Sequence, residues 1–285
     1  MRRTAIRMAA GVLVLVLCDV TAARAQQRPL VTEDPETIGA GRILLEGGFD
    51  WGSDQLFPAS GLQGNLLRFP LIGVSVGVSS IAEIQIDGGF YNRLAIKSRR
   101  PAPLSELVTA TGDTTSSVED IVVATKVRLA AEAAGRPSLG IRFSTRLPNA
   151  SNESGLGLDT TDFLVSALLG KTVESVRFVG NVGLGILGDP TRGDRQNDVL
   201  TYGVSVARAM TDAAELVGEV NGRVSTRSGT PPPGTETRGA VRIGARYTAR
   251  AVRFDAGVIL GTTVRDPSFG ITGGLTYVFD AFKVP

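Results

Sequence analysis

The chain has 285 residues, among them 35 glycines, 3 methionines, a single cysteine and no histidine, with a formal charge of +2 at neutral pH. Without histidine it lacks the side chain best suited to general-base work near pH 7, and without any run of Lys and Arg it has no electrostatic footprint for nucleic acid. Beyond the first 25 residues no apolar run approaches the roughly 18 residues of a membrane-spanning helix, so a helical membrane protein is excluded and a β-rich chain remains.

The first predicted element is an export signal. Arg2, Arg3 and Arg7 form a basic stretch, Met8 to Cys18 an apolar one, and Ala23-Arg24-Ala25 has the small-x-small form of a signal-peptidase site. Cleavage there makes Gln26 the first mature residue. Asp19 interrupts the apolar run too early for a membrane anchor, and Leu17 stands where a lipoprotein signal wants a small residue. Residues 1–25 carry away Cys18, so no disulfide is available. They also take Arg2, Arg3, Arg7, Arg24 and Asp19, which turns the net charge from +2 to −1. Residues 26–40, rich in proline and charge, are expected to form an N-terminal periplasmic segment.

From residue 41 to 285 the dominant signal is alternation of apolar and polar residues, the mark of a half-buried strand. Strands are expected near 41–51, 64–79, 82–97, 118–130, 136–147, 160–171, 175–187, 197–209, 213–226, 237–248, 251–263 and 268–279. The last is the clearest: Phe269, Ile271, Leu275, Tyr277 and Phe279 occupy one face, and Gly270, Thr272, Gly274 and Thr276 the other. About twelve strands is an even number, and each reaches the roughly 9 to 11 residues that a tilted strand needs to cross a bilayer. Joins are short near 80–81, 132–136, 172–174, 210–212 and 249–250. Longer loops fall between them, at 52–63, 98–117, 148–159, 188–196 and 228–236, and the short 265–267 join fits least well. This alternation matches short periplasmic turns and long outer loops, with both termini periplasmic. The fold class is therefore all-β, a transmembrane antiparallel up-and-down barrel. A soluble β-sandwich is the rival, and it favours shorter strands.

Alternate faces carry many charges: Glu46, Asp50, Glu83, Asp87, Arg93, Asp120, Lys126, Arg128, Asp162, Arg177, Arg223, and the rows Arg142–Arg146, Arg238–Arg242–Arg246, Arg253–Asp255 and Glu215–Glu219. In a membrane barrel these face the lumen while the apolar face meets lipid. Aromatic residues near strand ends, such as Trp51, Phe163, Tyr247 and Phe269, fit interface girdles. One strand conflicts with this pattern. Val74, Val76 and Val78 set a lipid face whose parity turns Arg68 outward, and either a bulge near Pro70 or an outer strand end beyond the membrane would remove the conflict.

Thr272-Gly273-Gly274-Leu275-Thr276-Tyr277-Val278-Phe279 resembles the C-terminal signal read by the outer-membrane barrel assembly machinery, with Gly274, Tyr277 and Phe279 as its marked positions. It departs from the usual form in that Asp280 to Pro285 follow. A longer resemblance rests on Arg28-Pro29-Leu30-Val31-Thr32-Glu33-Asp34-Pro35-Glu36-Thr37, on Gly41-Arg42 leading to Leu45-Glu46-Gly47-Gly48, and on Gly112-Asp113, Pro137 to Pro148 and Gly155-Leu156-Gly157. These are similar to the outer-membrane transporter family of the phenol-degradation MetA pathway. The similarity implies a porin-like barrel and uptake of aromatic or other small solutes, and supplies no catalytic residues.

The expected function is a porin-like channel for passive passage of small solutes, with aromatic or anionic compounds as candidates. About twelve strands leave a narrow lumen. In it Arg142, Arg146, Arg238, Arg242, Arg246 and Arg253 form either a ladder that favours anions or the partners of Glu46, Asp87, Glu215, Glu219 and Asp255 across a closed interior. The implied partners are outer-membrane lipid, the assembly machinery and a small-molecule solute; no nucleic acid, cofactor or metal is implied. Other classes are a histidine-free barrel enzyme, for which Lys126, Asp159 and Asp162 are the available groups, and a surface-interaction barrel that does not conduct. Asp159 and Asp162 near Asn149, Asn152 and Glu153 lack calcium-loop spacing.

Overall fold

The computed structural model describes residues 28–283. The export signal, its cleavage site and the start at Gln26 lie outside the described residues. The strands are β1 (Arg42–Phe57), β2 (Leu62–Gly77), β3 (Ala82–Gly89), β4 (Asn92–Arg99), β5 (Thr114–Ser117), β6 (Val122–Ala130), β7 (Ser138–Arg146), β8 (Asp162–Val173), β9 (Val176–Gly188), β10 (Gln196–Ala209), β11 (Ala214–Ser225), β12 (Arg238–Ala249), β13 (Val252–Gly261) and β14 (Phe269–Asp280). All neighbours pair antiparallel, and Ile43 of β1 lies opposite both Val76 of β2 and Phe279 of β14, so the sheet closes on itself. Closure leaves no unpaired edge. Because β4 continues the line of β3 and β5 that of β6, these segments build a barrel twelve strands round, as the alternation predicts.

The barrel is apolar outside and polar inside. Val182, Leu184, Val204 and Ile243 are each more than half exposed, whereas Glu83, Lys126 and Asp162 are buried. Within β14 the alternation is sharp: Leu275 is 43% exposed and its neighbour Thr276 1%. A protein in water would invert this arrangement, because a continuous apolar surface of that extent would draw it into aggregates. Among the described residues two small clusters of buried apolar side chains form, Ile38 with Leu44 and Val278, and Leu62 with Leu66 and Leu94, while others such as Leu168, Leu187, Val199 and Ile259 are buried outside them. The interior is otherwise held by polar contacts.

One irregularity crosses three adjoining strands and explains the parity conflict at Arg68. Between Gly48–Leu71 and Asp50–Arg68 the β1–β2 register shifts, leaving Phe69 and Pro70 as a bulge. Proline has no N–H to offer the ladder, so a bulge is where it does least harm. The shift returns Arg68 to the lumen, where it faces Glu119 at 3.5 Å. Beside it, Phe90 and Tyr91 separate β3 from β4, with Phe69 N–H donating to the Tyr91 carbonyl and Phe90 N–H to that of Pro70. The expected single strand 82–97 is thus two, and the face turns over between them. Asn92 and Leu94 point inward and Arg93 is exposed, contrary to its expected lumenal place.

Two loops are shorter than expected. Strand β1 runs on to Phe57, which reduces the 52–63 connection to four residues, and β4 with β5 forms a hairpin around a 3-10 turn at Ser105–Leu107 inside the expected 98–117 loop. At the other end the turns are tight. Glu174 and Arg250 adopt positive φ (52° and 56°) in two-residue hairpin turns, the conformation that matches the twist of the flanking strands.

Candidate functional site: a lumen divided by the N-terminal segment

Residues 28–40, expected as an N-terminal periplasmic segment, run along the lumen at the end where β1 begins and β14 ends. The segment has no ladder of its own, so inward-facing side chains of the wall must satisfy its backbone. They do so in sequence. Val31 and Thr32 N–H groups donate to the Glu219 carboxylate at 2.9 and 2.8 Å, Glu33 N–H donates to Asn181 Oδ1 at 2.7 Å, and the Asn181 amide donates back to the Glu33 carbonyl at 2.8 Å. Ile38 N–H ends the series on Glu83 Oε2 at 2.7 Å. A chain reversal then enters β1, where Gly41 N–H meets the Gly77 carbonyl at 2.8 Å. A Cβ on Gly77 would overlap the Gly39 carbonyl, so this close approach requires glycine.

The side chains of the segment are ion-paired to the wall. Arg177 of β9 grips Asp34 with two hydrogen bonds of 2.5 and 2.6 Å, a bidentate pairing that fixes orientation as well as charge. Glu36 meets Arg128 at 2.6 Å. Glu33 lies 3.2 Å from Arg142 and 3.6 Å from Lys126, and Lys126 pairs with Glu83 at 3.0 Å with both side chains wholly buried. Arg28 reaches Asp255 at 3.6 Å and donates to the Gly273 carbonyl at 2.8 Å. Its guanidinium occupies a slot made by Gly48 and Gly274, which sit opposite each other on β1 and β14; a Cβ on Gly274 would come 2.6 Å from Arg28 Nε.

Apart from Arg93, the residues expected in the lumen face inward, and depth decides what each meets. Arg142 is held by Glu33, by Asp87 at 3.8 Å and by Gln85 at 2.7 Å, and Arg146 by Asp120 at 3.4 Å and Asp162. In the row on β12, Arg246 donates to the Arg28 carbonyl at 2.7 Å and faces Glu215 at 3.6 Å, which Arg253 also approaches at 3.8 Å. Arg242 lies 3.4 Å from Glu219. Arg238 donates to the Leu56 carbonyl at 3.2 Å and has no carboxylate within 4 Å among the described residues. Several cavities remain along the lumen, two of them on opposite sides of the segment. An inner one of about 270 Å³ has Leu30, Thr32 and Asp34 on its wall, and an outer one of about 350 Å³ lies among Arg68, Arg223, Arg238 and Arg242.

The groups available to an enzyme are otherwise engaged. Lys126 is locked between Glu33 and Glu83, and Asp162 accepts from Arg146 and from Gly188 N–H at 3.0 Å. Asp159 stands in a loop at positive φ. Among the described residues no group of acidic, histidine or cysteine side chains converges as a metal site would. In the stretch expected to serve as an assembly signal, Tyr277 and Phe279 stack on the outer face with ring centres 5.5 Å apart, and β14 closes one residue later at Asp280, which pairs with Arg42 at 3.5 Å. What the sequence reading missed is the set contributed by Arg28, Glu33, Asp34 and Glu36. Their one signal was a dense alternation of charge with Pro29 and Pro35 in a segment that has no strand pattern.

No family model matches this chain, and no curated protein matches it. Solved structures do. An outer membrane channel from Pseudomonas putida F1 superposes with a TM-score of 0.59 at 12% identity, over 86% of this chain and 98% of that one. The NanC porin matches with a TM-score of 0.49 at 11% identity over 85% and 100%, and the translocator domain of the autotransporter NalP from Neisseria meningitidis with 0.49 at 13% over 85% and 89%. At such identities the likeness to the Pseudomonas putida channel is one of fold: a closed outer-membrane-type β-barrel.

Proposed function

We propose that the chain is an outer-membrane channel for the passive passage of small solutes, exported by a cleaved signal and inserted through the assembly machinery that reads β14. The observation that carries this is a lumen lined by charge and still holding several cavities, inside a wall whose outer surface is apolar. A barrel of this girth in a soluble structural role would have no use for either feature. The fold likeness to a protein described as an outer membrane channel supports the reading. So does the resemblance of Arg28 to Thr37 and the segments after it to the MetA-pathway transporters, which makes aromatic or anionic compounds the candidate solutes. Residues 28–38 cross the path, so passage requires that they shift or that solute passes beside them.

Planar-bilayer recording tests this. The refolded mature protein is expected to give small discrete conductance steps, and a variant lacking residues 28–38 larger ones, because the deletion joins the cavities on either side of the segment. Silence of both proteins, each shown to be folded by its migration in unheated gels, would overturn the channel.

A further inference from the structure

We propose that the outer half of the lumen contains a binding site for a small organic carboxylate with a compact apolar body, set among Arg68, Arg223, Arg238 and Arg242. The inference rests on the channel reading and names the class of solute that such a channel would retain. The cavity of about 350 Å³ lies at the low end of the range for small-molecule sites, with room for one compact molecule. Four guanidinium groups on its wall face two carboxylates, Asp50 and Asp266. Asp266 is committed, since it accepts from Gly239 N–H at 3.0 Å and from the Thr263 hydroxyl at 2.7 Å.

The excess charge is concentrated on two residues. Arg223 donates to the carbonyls of Glu236 (3.0 Å) and Gly234 (2.5 Å), and Arg238 to that of Leu56. Neither has a carboxylate within 4 Å among the described residues, and the buried Nε of Arg238 makes no hydrogen bond. Neutral carbonyls orient a guanidinium without pairing its charge at contact distance, and Asp162, Glu236 and Asp266 act on these two arginines only from beyond 4 Å, whereas the other lumenal arginines touch acids directly. A carboxylate entering between Arg223 and Arg238 supplies both the charge and the planar pair of acceptors that a guanidinium fork matches. Leu66 and Ile259 complete the wall as buried, inward-facing apolar side chains. They offer an apolar body a surface that a bare inorganic ion would leave unused, and Asn221, whose Oδ1 is buried without a partner, stands beside them.

Three probes separate these contributions: benzoate carries charge and body, benzamide the body alone, acetate the charge alone. Titration calorimetry on the folded full-length mature protein in detergent is expected to show saturable benzoate binding at least about tenfold tighter than either of the others, and about tenfold weaker in Arg223→Gln/Arg238→Gln. Absence of saturable benzoate binding, benzamide or acetate bound as tightly, or a folded double variant that binds benzoate unchanged would each overturn the site. Should the double variant fail to fold, the ratio of benzoate to benzamide on the wild type decides alone. Binding is read at equilibrium without current, so a silent barrel that binds benzoate keeps the site and removes the channel, whereas a conducting barrel indifferent to benzoate does the reverse.

Discussion

The two halves of the lumen are built from the same kind of residue and differ in what fills them. Toward the chain termini, Arg246, Arg177, Arg142 and Lys126 each meet an acid or a carbonyl, much of it contributed by residues 28–38. Toward the opposite end, Arg223 and Arg238 are held by carbonyls alone beside an open cavity. The β12 row passes from one regime to the other within eight residues. An inward arginine every fourth position is thus not one device repeated: at one depth it fastens a plug, and at another it presents charge to whatever enters.

If that contrast is right, breaking a pair in the filled half should cost far more than altering the open half. The largest effect is expected for Lys126→Met, which leaves buried Glu83 without a cation and Glu33 with Arg142 alone. Loss of one partner from a wholly buried pair costs about 3 to 5 kcal/mol, so urea unfolding from lipid vesicles should move to markedly lower denaturant. A variant as stable as wild type would mean that water reaches this layer and that the filled half is not filled.

A smaller effect sharpens the comparison without unfolding the barrel. Asp34→Asn removes the charge from the bidentate contact while Arg177 keeps Glu132 at 2.9 Å. The barrel should fold normally and residues 28–38 should become more accessible to added protease, with a rise in open-channel current. Unchanged protease sensitivity would show that the backbone bonds to Glu219 and Asn181 suffice to hold the segment.

The smallest expected effect is one of pH at the rim. Glu132, in the turn between β6 and β7, is partly desolvated, which raises its pKa, but hydrogen bonds from Thr172, Arg177 and Lys171 outweigh this and hold it below the ordinary value of 4.5. A depressed acid contributes stability above its unfolded pKa and loses it as pH falls through the folded one. Fastening of the segment through Arg177 should therefore be constant from roughly pH 8 to 5 and weaken only below 4.5. Glu132→Gln should lack that acid component. Identical acid profiles of protease sensitivity in the two proteins would place the titration elsewhere.

Much of this molecule is legible in its order of residues because a membrane barrel is governed by a local rule. Each strand must show lipid one face and the lumen the other, so period-two alternation, strand length and the spacing of turns can be read from neighbouring residues. That suffices for the closed barrel, for β14 and its alternation of Leu275 with Thr276, and for the inward parity of the arginine rows. The conflict between the parities of Arg68 and Val74 was legible too, with a bulge near Pro70 as one of two ways out, and the β1–β2 register decides for the bulge. The outward turn of Arg93 escaped, because the break at Phe90 and Tyr91 is imposed by the neighbouring bulge across β2 rather than by any local signal.

What only the tertiary structure decided is who meets whom across the lumen. Arg177 and Asp34 are 143 residues apart, and Arg28 and Thr272 are 244. No periodicity connects such pairs, and the same alternation is compatible with an open pore or a filled one. The placement of residues 28–40 settled which arginines are neutralised and which are not, because a segment without a strand pattern satisfies its backbone wherever polar partners are densest. In this barrel that is the lumenal wall of β3, β6, β9 and β11.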